Sequence, residues 1–229
     1  MNTIRKNTVL IGLSSLALAA SLPAATTYHI DFGINTQTTS GDYNNMTAGG
    51  GADPSDLTDL VDSTGGDSTI DLSYADVGLA GVSGTNPNYA GPYPAAVGSQ
   101  PVSALRDGLF LGGGEITLTF SSLDPSMTYD FLLYGARALN GADTTYTATG
   151  GNTDTGTITN VLNNSTQTVN LSGLTANGSN EIVLVISSIN SDSNNGGALN
   201  YLQLTAVPEP SAAALLGLGG LSLILRRRK

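Results

Sequence analysis

Short runs in which apolar and polar side chains alternate strictly, each closed by turn residues, constrain this chain more than any other feature. Tyr28, Ile30 and Phe32 alternate with His29 and Asp31, Ile116, Leu118 and Phe120 with Thr117 and Thr119, and Val169 and Leu171 with Thr168 and Asn170. A period of two puts the apolar set on one side of an extended strand, so each run predicts a half-buried strand. "IVLVI" at 182–186 is continuously apolar and predicts a central strand covered on both faces, while "NYLQLTAV" alternates again. The 29 glycines and many Asn, Asp, Ser and Thr residues supply the turns. About nine or ten strands in this span predict an all-β fold, an antiparallel β-sandwich of jelly-roll type. A short helix is expected near 54–62, with Asp53 as cap, Pro54 in its first turn, Leu57, Leu60 and Val61 inward, and Gly65 as stop.

The two ends of the 229-residue chain are of another kind. Arg5 and Lys6 precede an apolar run from Val9 to Leu22 and then Pro23-Ala24-Ala25, the layout of a secretory signal peptide, so residues 1–25 are read as a signal helix. At the other end, Ala212–Leu225 carries no charge and is followed by Arg226, Arg227, Arg228 and Lys229. As a helix these 14 residues reach about 21 Å, short of the ~30 Å hydrocarbon core. The long basic side chains extend that reach, and they mark the cytoplasmic stop of a short transmembrane helix.

Val207-Pro208-Glu209-Pro210-Ser211, followed by that apolar segment and basic cluster, resembles a PEP-CTERM protein-sorting signal over 207–229. The resemblance implies export, parking of the tail in the inner membrane, and processing by an exosortase, a membrane-embedded cysteine transpeptidase of certain Gram-negative bacteria. Pro208 and Pro210 keep the chain extended around Glu209. The expected organisation is therefore signal peptide 1–25, sandwich 26–206 and sorting signal 207–229.

Six of the eight basic residues lie in the two ends, leaving Arg106 and Arg137 against seventeen acidic residues in 26–207, a formal charge of −15. Such a domain repels nucleic acid, which is not expected as a partner. "HIDFG", "LTDLVDSTGG", "LDPSMTYDFLLYGARALNGADTTYTATG" and "LNYLQLTAV" resemble exported bacterial jelly rolls related to carbohydrate-binding modules and malectin-like or galactose-binding-like domains. The chain departs from many sugar-binding modules of that kind in having no tryptophan.

No catalytic residue is assigned, and a non-enzymatic protein is expected. His29 is the only histidine, the passenger's two glutamates, Glu115 and Glu181, read as solvated strand flanks, and no spacing singles out a catalytic carboxylate pair. No cofactor is required. Loop oxygens make Asp53, Asp56 and Asp192 candidates for a structural calcium, without the spacing of an EF-hand. Tyr43, Tyr89 and Tyr93, in loops rich in Asn, Gly and Pro, are the candidate glycan-binding residues, whereas Tyr129, Tyr134, Tyr146 and Tyr201 read as core. Arg137 is expected to pair with an acidic neighbour, with a ligand carboxylate as the alternative. A structural or adhesive envelope or matrix role is the first expectation, with recognition of extracellular polysaccharide as the alternative and a polysaccharide-acting enzyme third.

Overall fold

The computed structural model describes residues 24–48, 53–83, 89–188 and 196–209. The signal helix up to residue 23, the expected transmembrane helix, Pro210, Ser211, Asp192 and the cluster Arg226–Lys229 lie outside the described residues. Within them, no helix is long and apolar enough to cross a membrane.

Residues 24–209 form a compact unit of two sheets. The first has the order β2 (Tyr43–Ala48), β1 (Thr26–Ile34), β11 (Tyr201–Pro208), β5 (Met127–Tyr134), β8 (Val169–Leu174). The second runs β10 (Gly197–Leu199), β4 (Gly108–Ser121), β9 (Ile182–Ser188), β6 (Thr144–Thr149), β7 (Thr153–Ile158), with β3 (Asp71–Ser83) on the other edge of β4. Setting aside β2, β3 and β10, the remaining eight strands, counted along the chain, stand first-eighth-third-sixth in one sheet and second-seventh-fourth-fifth in the other. That interleaving is a jelly roll. All pairs are antiparallel except β1 with β2, where the chain turns back through 35–42 and lays His29 beside Tyr43.

The alternation read from the sequence builds the core. Ile30 and Phe32 of β1, Leu202 and Leu204 of β11 and Phe131 and Leu133 of β5 face Leu118 and Phe120 of β4, Leu184 of β9 and Tyr146 of β6, all buried in one cluster. Phe120 and Phe131 meet edge to face across the sheets at 5.2 Å. Each fully buried side chain of this kind contributes roughly 1.5–3 kcal/mol relative to exposure. The four strand tyrosines are buried as expected.

Three expectations are corrected. No helix forms over 54–62: Leu57 and Val61 instead make isolated antiparallel bridges to Leu72 and Asp67, and Leu60 is buried. Asp59 sits at φ 52°, which ends any helical path there, and the Asp56 carboxylate accepts the N–H of Tyr74 rather than capping its own segment. The described helix is α1 (Val102–Arg106), five residues after Pro101. Second, β9 is central but only one of its faces is covered: Ile182, Leu184 and Ile186 are buried, while Val183 and Val185 are half-exposed. Third, Arg137 is buried without a carboxylate among the described residues; its guanidinium lies 3.9 Å over the Phe110 ring, and Nε and Nη1 have no hydrogen-bond partner.

Candidate functional site

The outer face of the first sheet carries the functional candidates. Because Tyr28, Ile30 and Phe32 point into the core, His29, Asp31 and Gly33 point away from it, beside Tyr43 and Asn45 of β2 and Tyr201 and Gln203 of β11. The segment 89–107 folds back over this face. Tyr89, Val97, Ala104 and Leu105 form a second small core on Tyr134, Ala136 and Tyr201, with Tyr43 and Tyr93 packed against it.

This places the three candidate tyrosines. Tyr89 is buried, with 6% of its surface exposed, and meets Tyr93 edge to face at 86°, so the two rings do not form a shared platform. Tyr93 donates its hydroxyl to the Tyr89 carbonyl at 2.9 Å and packs edge to face on Tyr134. The reason is local: the second core needs apolar mass, and these are the aromatic residues within reach. Tyr43 is half-exposed, stacks on His29 at 5.3 Å and donates to Gln100 Oε1. His29 stacks in turn on Tyr201, with Nδ1 2.6 Å from the phenol oxygen. Burial lowers the His29 pKa, so the ring is neutral near pH 7.

Sequence reasoning missed the carboxylate pair beneath this row. Asp31 and Asp107 are fully buried. Asp31 Oδ2 accepts the N–H of Thr39 at 2.9 Å, but Oδ1 and both oxygens of Asp107 have no aligned hydrogen-bond partner. A side chain at Gly33 would collide with the Asp107 carboxylate, and Gly33 shares its strand face with Asp31, so the two carboxyls are neighbours. Burial pushes Asp31 up to about 6, against the Thr39 hydrogen bonds. Burial and then the charge of Asp31 push Asp107 up to about 7; the backbone N–H groups of Ile34 and Asp107 offset only part of this. Two such groups need a shared proton or a cation. Three of their four carboxylate oxygens are left without a partner. The only hint in the sequence was an aspartate inside an apolar strand run.

Asp53 and Asp56 are exposed, and Asp56 is engaged with the Tyr74 backbone. Among the described residues no three acidic or histidine side chains gather around one point.

The sorting motif begins inside the fold. Val207 and Pro208 are the last residues of β11, in register with Thr128 and Met127, and Thr128 Oγ1 donates to the Val207 carbonyl at 3.3 Å. Glu209 follows, exposed. Ala206 is paired with Thr26, so the first and last strands run side by side and the domain's two ends leave from the same end of the sheet.

Strand order and this continuous tail define a jelly-roll β-sandwich with a C-terminal address. That address is a PEP-CTERM protein-sorting motif, which matches residues 206–229. Such a motif implies an exported chain that an exosortase processes. No curated protein matches the chain. Among solved structures it is similar to TmCBM61 in complex with β-1,4-galactotriose, at 12% identity over 60% of this chain and 88% of that one, with a TM-score of 0.37. It is also similar to the CBM36-1 domain of a multidomain xylanase from the hindgut metagenome of Trinervitermes trinervoides (16% identity, 58% of this chain, 95% of that one, TM-score 0.29). A third likeness is the exo-β-1,3-galactanase of Phanerochaete chrysosporium with galactose (15%, TM-score 0.32), where 62% of this chain spans 31% of the enzyme. At these scores the fold assignment rests on the strand order alone.

Proposed function

We propose that this chain is a non-catalytic envelope or matrix component of a Gram-negative bacterium: exported, parked in the inner membrane through residues 207–229, processed by an exosortase and displayed as a folded sandwich with a structural or adhesive role. The observation that carries this reading is the absence of any linker between β11 and the sorting motif, since Val207 and Pro208 belong to both. What the signal delivers is therefore the sandwich itself. A non-catalytic role is supported by the one histidine, whose ring is taken up by Tyr43 and Tyr201. In the same reading, the unpartnered oxygens of Asp31 and Asp107 take a structural calcium.

Expression with and without an exosortase, followed by cell fractionation, tests the proposal. The reading expects surface or matrix material only when the exosortase is present and membrane-bound precursor when it is absent; identical distribution in the two hosts sinks it.

Glycan recognition is the second reading, and Tyr43 favours it. Its half-exposed ring, stacked on His29 beside Gln100 and Gln203, offers an apolar face flanked by amides.

A further inference from the structure

The face of the second sheet that points away from the core is the remaining large surface, and its composition is unlike the rest of the domain. Thr145, Thr147 and Thr149 of β6 stand opposite Thr157, Thr155 and Thr153 of β7. Their hydroxyls pair across the strands at 3.0, 3.2 and 3.3 Å. The rows continue through register partners: Thr147 beside Val185 of β9, Val185 beside Thr117 of β4, and Thr117 beside Ala75 of β3. The row through Thr149 continues likewise through Val183 and Thr119 to Ser73. All these side chains are half-exposed or exposed. They are small, β-branched or hydroxylated, and neutral. Among the described residues, charge flanks the face at Glu115 and Asp71 in its end rows and at Glu181 and Asp143, which precede β9 and β6 on the same side. In a domain of formal charge −15, the two rows through Thr147 and Thr149 are uncharged from β7 to β3.

Area and charge together choose the occupant. Five strands about 4.8 Å apart, with same-face residues about 6.8 Å apart along each strand, give three rows covering roughly 19 by 14 Å, the outermost of which carries Glu115. That is well below the ~800 Å² per partner of a standard protein interface. A second copy would also bring a second acidic surface. Anionic polymers and lipid headgroups are repelled for the same reason. Twist of about 20–25° per strand curves the field, which disfavours a flat crystal facet and suits a single chain lying across it.

We infer that this threonine and valine field binds a neutral, extended polysaccharide chain. Each threonine presents a methyl and a hydroxyl, as a sugar ring presents C–H faces and O–H edges. Val183, Val185 and Ala75 lie under the apolar ring faces and the threonine hydroxyls bond the rims. Branching at Cβ and the cross-strand hydroxyl pairs fix these side chains before binding, so little rotamer freedom is lost on contact. The site is on the opposite sheet from Tyr43. The inference deepens the adhesive reading above and rests on it.

Affinity electrophoresis of the full chain in detergent micelles tests this, through gels containing hydroxyethylcellulose or, as the acidic counterpart, polygalacturonate. The wild type is expected to be retarded by the first polymer and not by the second. Thr147→Glu with Thr155→Glu is expected to weaken the retardation at least tenfold at an unchanged melting temperature, and Tyr43→Ala to leave it intact. Should the glutamate pair melt early, Thr147→Val with Thr155→Val removes the hydroxyls with the shape kept and is expected to weaken retardation severalfold. The inference falls if the wild type is not retarded, if the threonine variants run like it, or if only Tyr43→Ala releases it. Self-association that the glutamate pair abolishes, without polymer retardation, would assign the face to a second copy instead. A chain that is displayed normally yet not retarded removes this inference and leaves the display reading standing.

Discussion

At the scale of single residues, Asp31 and Asp107 are the two carboxyls that burial holds above the ordinary carboxylate range. Both hold their protons more tightly in the folded chain than a free carboxyl does, near 6 and 7 against an ordinary value of 3.8. The folded state therefore binds more protons than the unfolded state between about pH 4 and 7, and stability falls as pH rises through that window. In chelator, the melting temperature is expected to rise on acidification from pH 8 to pH 5, and Asp107→Asn is expected to flatten the profile. Millimolar calcium at pH 8 is expected to raise the melting temperature above that in sodium chloride of matched ionic strength, since a ligand of the native state adds RT ln(1 + [L]/Kd). Equal melting temperatures would leave the pair to a shared proton. Tyrosines answer a different question. Tyr89→Ala empties part of the second core and is expected to cost about 3–5 kcal/mol, as for other large aromatic truncations; Tyr43→Ala, at a half-exposed ring, is expected to cost much less. Denaturant unfolding separates the two.

At the scale of elements, β9 is the sharpest test of the architecture. Leu184→Ala, on the covered side, is expected to cost about 2–5 kcal/mol, and Val185→Ala, one residue along on the outer side, about 1 kcal/mol or less; chemical denaturation of each variant checks it. Similar costs would mean that something packs on the outer face. The same strand shows how far the sequence was legible. Alternation in β1, β4 and β11 revealed which side of each faces the core, because one face of those strands is polar. In "IVLVI" the signal vanished: Val183 and Val185 are apolar although they face outward, a choice that hydropathy reads as burial. The expected helix near 54–62 failed for a comparable reason. Leu57, Leu60 and Val61 suit a helical stripe, yet the edge of β3 offered backbone partners that a capped local turn could not match. Of the candidate sites, the sorting motif was legible because its residues are contiguous. The carboxylate pair was not, because Asp31 and Asp107 are distant in sequence and only the folded segment 89–107 brings them together.

At the scale of the whole molecule, the tail and the domain share residues. Removing Arg226–Lys229 is expected to release precursor from the membrane, because the 14-residue apolar segment is too short to stay in place without charge behind it. Fractionation decides: processing and localisation like the full-length chain would show that the basic cluster is not the stop. The pairing of β1 with β11 carries a further consequence, one of timing. The first strand cannot dock on the last until nearly the whole chain has been exported, and closing so long a loop is the slowest kind of contact to form. The last residues of β11, Val207 and Pro208, are also part of the sorting motif, so the sheet can close only as that motif emerges. Under the proposed function, a pulse-labelled chain is expected to gain protease resistance at the moment its tail becomes membrane-held, not before; resistance gained earlier would separate folding from delivery.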